Sequence, residues 1–350
     1  MLRWRKKGDG VSQQQLMHAP KPQDSSILLK RILVIAIPVC LGSLAVNLSG
    51  IIDLLTVTGR LSHVMDTAPQ QLLACYGQNI PQAELVNGTV HNYLYGAYSG
   101  KAVVIANLVP ALTTGMAVSA LPAVAESFAR GNRLRTQKSI QMVLRITALF
   151  CVPAGLGISA LSQEVCSLFF GMNNEVMIGA PLLRVLGLAS IFIALTGTTN
   201  SLLQAVGRVS LPVKLILIGS AIKLAMNYLL VGIPQLNIQA APWSTLVCYV
   251  VITLLSLIAL RSTVGPLGAF GVFGKPLLAG LLCAAFARLT QNMLMQVTAS
   301  RFAVLLSAAV GAAVYLVGLL LLRALKKEDI MMLPKGEKMA KILEKYSLLG

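Results

Sequence analysis

Residues 93–139 read YLYGAYSGKAVVIANLVPALTTGMAVSALPAVAESFARGNRLRTQKS, and the order of features in that stretch decides the class of fold. A long apolar run carries one cation, Lys101, near its start and prolines at Pro110 and Pro122, then breaks into Arg130, Arg133, Arg135 and Lys138. Apolar length followed at once by clustered cations marks a membrane span that ends on the cytoplasmic side. Backbone breakers and an ionisable group at membrane depth are tolerated only where protein or a watery cavity surrounds them. The stretch is therefore predicted to be a transmembrane helix that lines a cavity.

Outward from it, the rest of the chain has the same character. Of 350 residues, 56% are hydrophobic and 12% charged, and the mean hydropathy is +0.75. That composition excludes a soluble globular domain and predicts an all-α integral membrane protein. The formal net charge of +17 would suit a nucleic-acid binder. The Lys and Arg residues, however, fall in the gaps between apolar runs on alternate sides, so topology explains them and no nucleic-acid partner is expected. Six cysteines, at 40, 75, 151, 166, 248 and 283, show no Cys-x-x-Cys spacing, and the three histidines do not cluster. Neither a metal nor a cofactor is expected. Cys75 and Cys166 fall in predicted outer connections, where a disulfide is open to them.

At about 20 apolar residues per span, about eight transmembrane helices fit the chain. They are expected near residues 27–57, 93–125, 140–161, 181–206, 211–231, 242–260, 276–296 and 302–322. Residues 58–92 read as a polar connection rich in Gln and Asn. Residues 162–180 carry Glu164 and Glu175 with no Lys or Arg, as a far-side connection does. In the tail, Met339, Ile342, Leu343 and Tyr346 stand at i, i+3, i+4 and i+7 among lysines, which suits a helix lying on an anionic leaflet. An even number of spans puts both termini on one side, and the basic loops make that side the cytoplasm.

Four charged residues lie inside apolar helices, toward the outer half: Asp53, Lys101, Arg184 and Lys223. In lipid each would cost from about 2.5 to more than 10 kcal/mol at the bilayer centre, so they are expected to point inward. Three cations and one carboxylate in a wet chamber with low-dielectric walls attract an anion. Two other readings stay open: Lys223 neutralises Asp53 across helices, and Lys101 and Arg184 snorkel to the outer interface. Thr196, Asn200 and Gln204, at i, i+4 and i+8, stack on one helical face, either for interhelical hydrogen bonds or for substrate contact. Pro38, Pro110 and Pro153 are candidate bending points.

Three segments, in order, carry a family likeness: LPAVAESFARGN at residues 121–132, LQAVGR at 203–208 ahead of the helix with Lys223 and Asn227, and EDIMMLPKG at 328–336. The chain resembles the MOP superfamily of multidrug, oligosaccharidyl-lipid and polysaccharide exporters. The nearest likeness is to its stage V sporulation protein B and polysaccharide biosynthesis branch, related to the lipid II flippases. The resemblance implies two six-helix lobes about a central cavity and two further helices. This chain matches the second lobe at residues 27–261 and the extra pair at 262–323, without a first lobe. Residues 1–26 then correspond to the basic cytoplasmic inter-lobe segment and 324–350 to a cytoplasmic amphipathic tail. Ala240-Ala241-Pro242 departs from the family's Gly-Ala-Ala, while Ser244 and Thr245 still fit.

What the resemblance implies is a flippase-like transporter, not an enzyme, in the bacterial cell membrane, serving cell-wall, spore-cortex or polysaccharide assembly. Its partners would be a lipid-linked anionic saccharide of the polyprenyl diphosphate type, membrane lipids and a first lobe on another chain. The diphosphate is expected at Lys101 and Arg184, with Lys223, Asn200 and Gln204 as further substrate-binding candidates; Arg grips phosphate oxygens in pairs and Lys acts as a point charge. Related exporters couple to ions, and the oxygens of Asp53, Asn227 and Thr245 suit a hard monovalent cation, although Val231 offers no second carboxylate. The alternatives are a cation-coupled drug exporter, which would carry more acids, a membrane scaffold in envelope assembly, and a membrane glycosyltransferase. The last needs a reactive cluster in an outer loop, and residues 58–92 offer only Asp66, Glu84, Arg60 and two histidines in no recognisable arrangement.

Overall fold

A chain this apolar has to close its backbone hydrogen bonds within each segment, which selects helices. The computed structural model describes residues 24–268, 270–297, 301–322 and 324, and no strand occurs among them. The segment expected to join the lobes, up to residue 23, and the tail expected to be amphipathic, beyond 324, lie outside the described residues, as does the side chain of Pro38.

Helix α1 (Ser25–Thr67) has 43 residues, about 65 Å at 1.5 Å per residue, twice the hydrocarbon thickness. Short helices α2 (Pro69–Tyr76), α3 (Gln82–Val86) and α4 (Val90–Ala97) follow. The chain then passes a π turn (Tyr98–Val103) and α5 (Val104–Ala106) into α6 (Leu108–Ala129). Next come α7 (Arg133–Ala160), α8 (Ser162–Phe170), α9 (Asn174–Ala205) and α10 (Leu211–Met226), which ends in a second π turn (Asn227–Val231). Helix α11 (Ala240–Val264), a third π turn (Phe270–Gly274), α12 (Lys275–Val297) and α13 (Arg301–Leu321) complete the order.

Six stretches among the described residues are long and apolar enough to cross a membrane: Arg133–Ala160, Asn174–Ala205, Leu211–Val231, Asn237–Val264, Phe270–Met295 and Phe302–Leu321. They coincide with the last six expected spans. The second expected span is not a single rod, because Asn107 and the π turn interrupt it. Pro110 stands in the first turn of α6, where no intrahelical donor is lost, so it marks a start instead of a bend. The larger departure is the connection at 58–92, which is helical. Val57, Leu61 and Val64 recur at i, i+4 and i+7 and are fully buried with Leu72, Val90 and Leu94, so an apolar stripe fastens the polar segment onto the bundle.

Two turns show how local sequence sets helix ends. Gly131, at φ 68°, closes α6 in the left-handed conformation, and the Asn132 side chain then accepts the Arg135 N–H at 3.0 Å to open α7. Gly171, at φ 74°, and Asn173, which accepts the Val176 N–H at 2.9 Å, do the same between α8 and α9. The Gly-Asn turn in the opening stretch is thus a capping device.

Helix α9 is the hub, packed against α6, α7, α8 and α11, while α1 packs on α10 and α12 pairs with both α13 and α7. At the α7–α9 crossing a Cβ on Gly187 would lie 2.7 Å from the Ser159 nitrogen and 2.9 Å from the Gly155 carbonyl oxygen, so the two backbones touch. One apolar core gathers residues of α1, α2, α4, α9 and α11 at the far end. A second gathers α7, α11 and the C-terminal part of α9 at the end bearing Arg133, Arg135 and Lys138.

Candidate functional site

Helical spacing aligns polar side chains on three facing helices. Ser49, Asp53 and Thr56 recur at i, i+4 and i+7 on α1, Lys223 and Asn227 at i and i+4 on α10 and its π turn, and Ser244 and Thr245 face them from α11. All but Thr56 are buried, with Asp53 at 7% exposure and Lys223 at 2%. Lys223 Nζ donates to Asp53 Oδ2 at 2.6 Å and to Ser49 Oγ at 3.0 Å. The Asn227 amide donates to Asp53 Oδ1 at 2.8 Å and to Thr56 Oγ1 at 3.1 Å. Tyr98, from the first π turn, donates to Asp53 Oδ2 at 3.3 Å and lies 3.4 Å from Thr245 Oγ1. Ser244 Oγ reaches both the Asn227 carbonyl oxygen and the Ala241 carbonyl.

Two of the three donors to Asp53 stand in π turns, where the wider coil turns a side chain away from the regular helical row. The sequence marked Asp53 and Lys223 as charges inside apolar helices, and the resemblance brought in Asn227 and Thr245; neither pointed to Tyr98, Ser49 or Thr56. The position of Tyr98, three residues before Lys101 on an otherwise apolar run, was its only signal.

The cation-site candidates Asp53, Asn227 and Thr245 are brought together, and Lys223 comes with them. Their donor set does not fit a free cation. The carboxylate already accepts from an ammonium, an amide N–H and a phenol, and the Asn227 carbonyl faces Ser244.

The other cations lie elsewhere. Lys101 Nζ is 3.0 Å from Glu175 Oε2, in the first turn of α9, and 4.5 Å from the centre of the Phe170 ring. Its partners were not marked by the sequence, though Glu175 had been placed on the same side. Arg184 is exposed on α9, and no described carboxylate pairs with it. The Cβ of Lys101 lies against Gly179; Arg184, five residues on, stands about 140° further round the helix. The two cations therefore do not share a face of α9. Asn200 and Gln204 are half-buried toward the basic end of the same helix, and the Asn200 side-chain oxygen has no partner. Thr196, one turn earlier, is 3.0 Å from Thr253 of α11.

Arg288, to which the sequence assigned no role, ties α12 to the bundle through Glu164 at 2.8 Å and the Ala160 carbonyl at 3.4 Å. Cys75 is exposed and Cys166 buried, and both are free thiols, so the disulfide left open to them is not formed. Burial pushes the Cys166 thiol up to about 11, against the opposing pull of Lys101.

Residues 31–317 match the family described as "MurJ: Lipid II flippase MurJ". Lipid II flippase MurJ of Bacillus subtilis (strain 168) is 24% identical over 217 residues, which are 59% of this chain and 39% of that protein. The chain thus spans about two fifths of the length of that curated relative. Among solved structures, a MOP superfamily transporter from Pyrococcus furiosus Vc1 (DSM3638) superposes with a TM-score of 0.46 and 14% identity, covering 89% of this chain and 67% of that one. A multidrug resistance MATE family transporter of the same superfamily, in an outward-facing conformation, gives 0.45 and 15%, covering 90% and 68%.

Proposed function

We propose, from the premise that this chain belongs to the MurJ family of lipid II flippases, that it forms the C-terminal lobe of a flippase for a lipid-linked saccharide in the bacterial cell membrane. The family match across 31–317 supports the class of activity, and one physical observation supports the chemistry of the guest. Arg184 sits ten residues into α9, about 15 Å from its far end, exposed and with no described carboxylate beside it. With α9 about 48 Å long against a hydrocarbon core of about 30 Å, that places the guanidinium near the outer edge of the core, within reach of interfacial water. It requires water or an anion, and a diphosphate offers the paired oxygens that guanidinium N–H groups match.

In this reading Arg184 makes the first contact with the polyprenyl diphosphate. Lys101 stays tied to Glu175 on another face of α9, and Asn200 and Gln204, 16 and 20 residues on from Arg184, stand on the side of the helix away from it, so none of the three shares that contact. The basic end faces the cytoplasm, and this lobe forms one wall of the cavity. Transport of this kind requires no bond to be made or broken. A cation-coupled drug exporter fits less well, because Asp53, the one buried acid among the described residues, is already paired.

The test is binding of a fluorescent polyprenyl diphosphate saccharide to the purified chain in nanodiscs. Losing a charge-assisted contact of about 1.5–3 kcal/mol weakens Kd roughly tenfold to a hundredfold for Arg184→Ala. Lys138→Ala, an exposed cation at the basic end, serves as control. Equal affinities for the two variants would remove the assignment.

A further inference from the structure

Asp53 brings one negative charge into the bundle, and Lys223 brings one positive charge to the same carboxylate oxygen. The oxygens a small cation would need are those of Asp53, Ser49 and Thr245. Lys223 Nζ already holds Asp53 Oδ2 and Ser49 Oγ, Tyr98 lies between Asp53 and Thr245, and Asn227 turns its N–H toward Oδ1. A further cation would leave the cluster with a net positive charge at a depth where uncompensated charge is strongly disfavoured. Val231, one turn past Asn227 and fully buried, supplies no acid to balance it.

We infer that Lys223 is a tethered counter-cation: its ammonium takes the position beside Asp53 and Ser49 that a free monovalent cation would occupy, so the cluster binds no external ion. Deleting the ammonium turns the same oxygens into a site for potassium or sodium. Ammonium and potassium are close in size and both favour several oxygen neighbours, so potassium is expected to serve at least as well as sodium. This concerns ion binding alone and stands whether or not the chain moves lipid.

The experiment is thermal unfolding of the purified full chain in detergent, in chlorides of N-methylglucamine, sodium or potassium at equal ionic strength. Wild type is expected to unfold at the same Tm in all three. Lys223→Ala unfolds earlier in N-methylglucamine and regains about 5 °C in potassium, as binding to the folded state requires. The gain disappears in Lys223→Ala/Asp53→Asn, and also in Lys223→Met, whose side chain fills the volume. A sodium or potassium shift in wild type that Asp53→Asn abolishes would overturn the inference. So would a salt gain in Lys223→Met, or a Lys223→Ala chain that recovers in neither salt, including one that fails to fold in both.

Discussion

Two lysine–carboxylate pairs of similar geometry sit at different depths. Lys223–Asp53 is 2.6 Å long with side chains 3% and 9% exposed; Lys101–Glu175 is 3.0 Å long with 22% and 38% exposed. The first is enclosed by Ser49, Tyr98 and Asn227, so every charge has a fixed partner. The second rests on one aromatic face and is partly open to solvent. Depth, more than distance, determines what each can do. The buried pair joins α1 to α10 and cannot part without stranding a charge, whereas the rim pair can open toward solvent.

The largest effect follows from stranding the buried ammonium. Asp53→Ala is expected to destabilise by about 3–5 kcal/mol, seen as a lowered Tm in detergent. Asp53→Ala/Lys223→Met, which removes both charges, should recover part of that loss; no recovery would mean that the pair is not the cause. Arg288→Ala is intermediate: it leaves Glu164, whose Oε2 is already without a partner, uncompensated, at a cost of about 1–3 kcal/mol. Limited proteolysis between α11 and α12 would register the loosened helix pair. Lys101→Ala should change Tm by an amount equivalent to about 1 kcal/mol or less. The smallest effect is a rate: Glu175→Gln frees Lys101 to draw on the neighbouring Cys166 thiolate and modestly speeds its alkylation, which otherwise lags far behind that of exposed Cys75.

Much of the fold was legible because the membrane imposes one rule on every span. The last six expected helices agree with the structure, and the Gly-Asn turn of the opening stretch declared its own cap. The connection at 58–92 was misread because its composition is polar while its apolar residues keep a helical period, and period decides. Within the candidate site, charges in apolar helices were visible as anomalies one at a time. That Lys223 meets Asp53 while Lys101 meets Glu175 depends on which helix faces pack together, and no linear spacing contains that. Tyr98 escaped notice for the same reason: it meets Asp53 from another helix, 45 residues on.

The bare contact of Gly155 with Gly187 has a mechanical consequence. Two backbones in direct touch leave no side-chain layer to act as a bearing, so α7 and α9 rock as one piece, and α12, seated on α7, is carried along. Opposite that piece, α1 and α10 are riveted by the neutral Lys223–Asp53 pair and the hydrogen bonds around it. Helix α11 packs on both pieces, so any swing of one against the other has to work against its contacts.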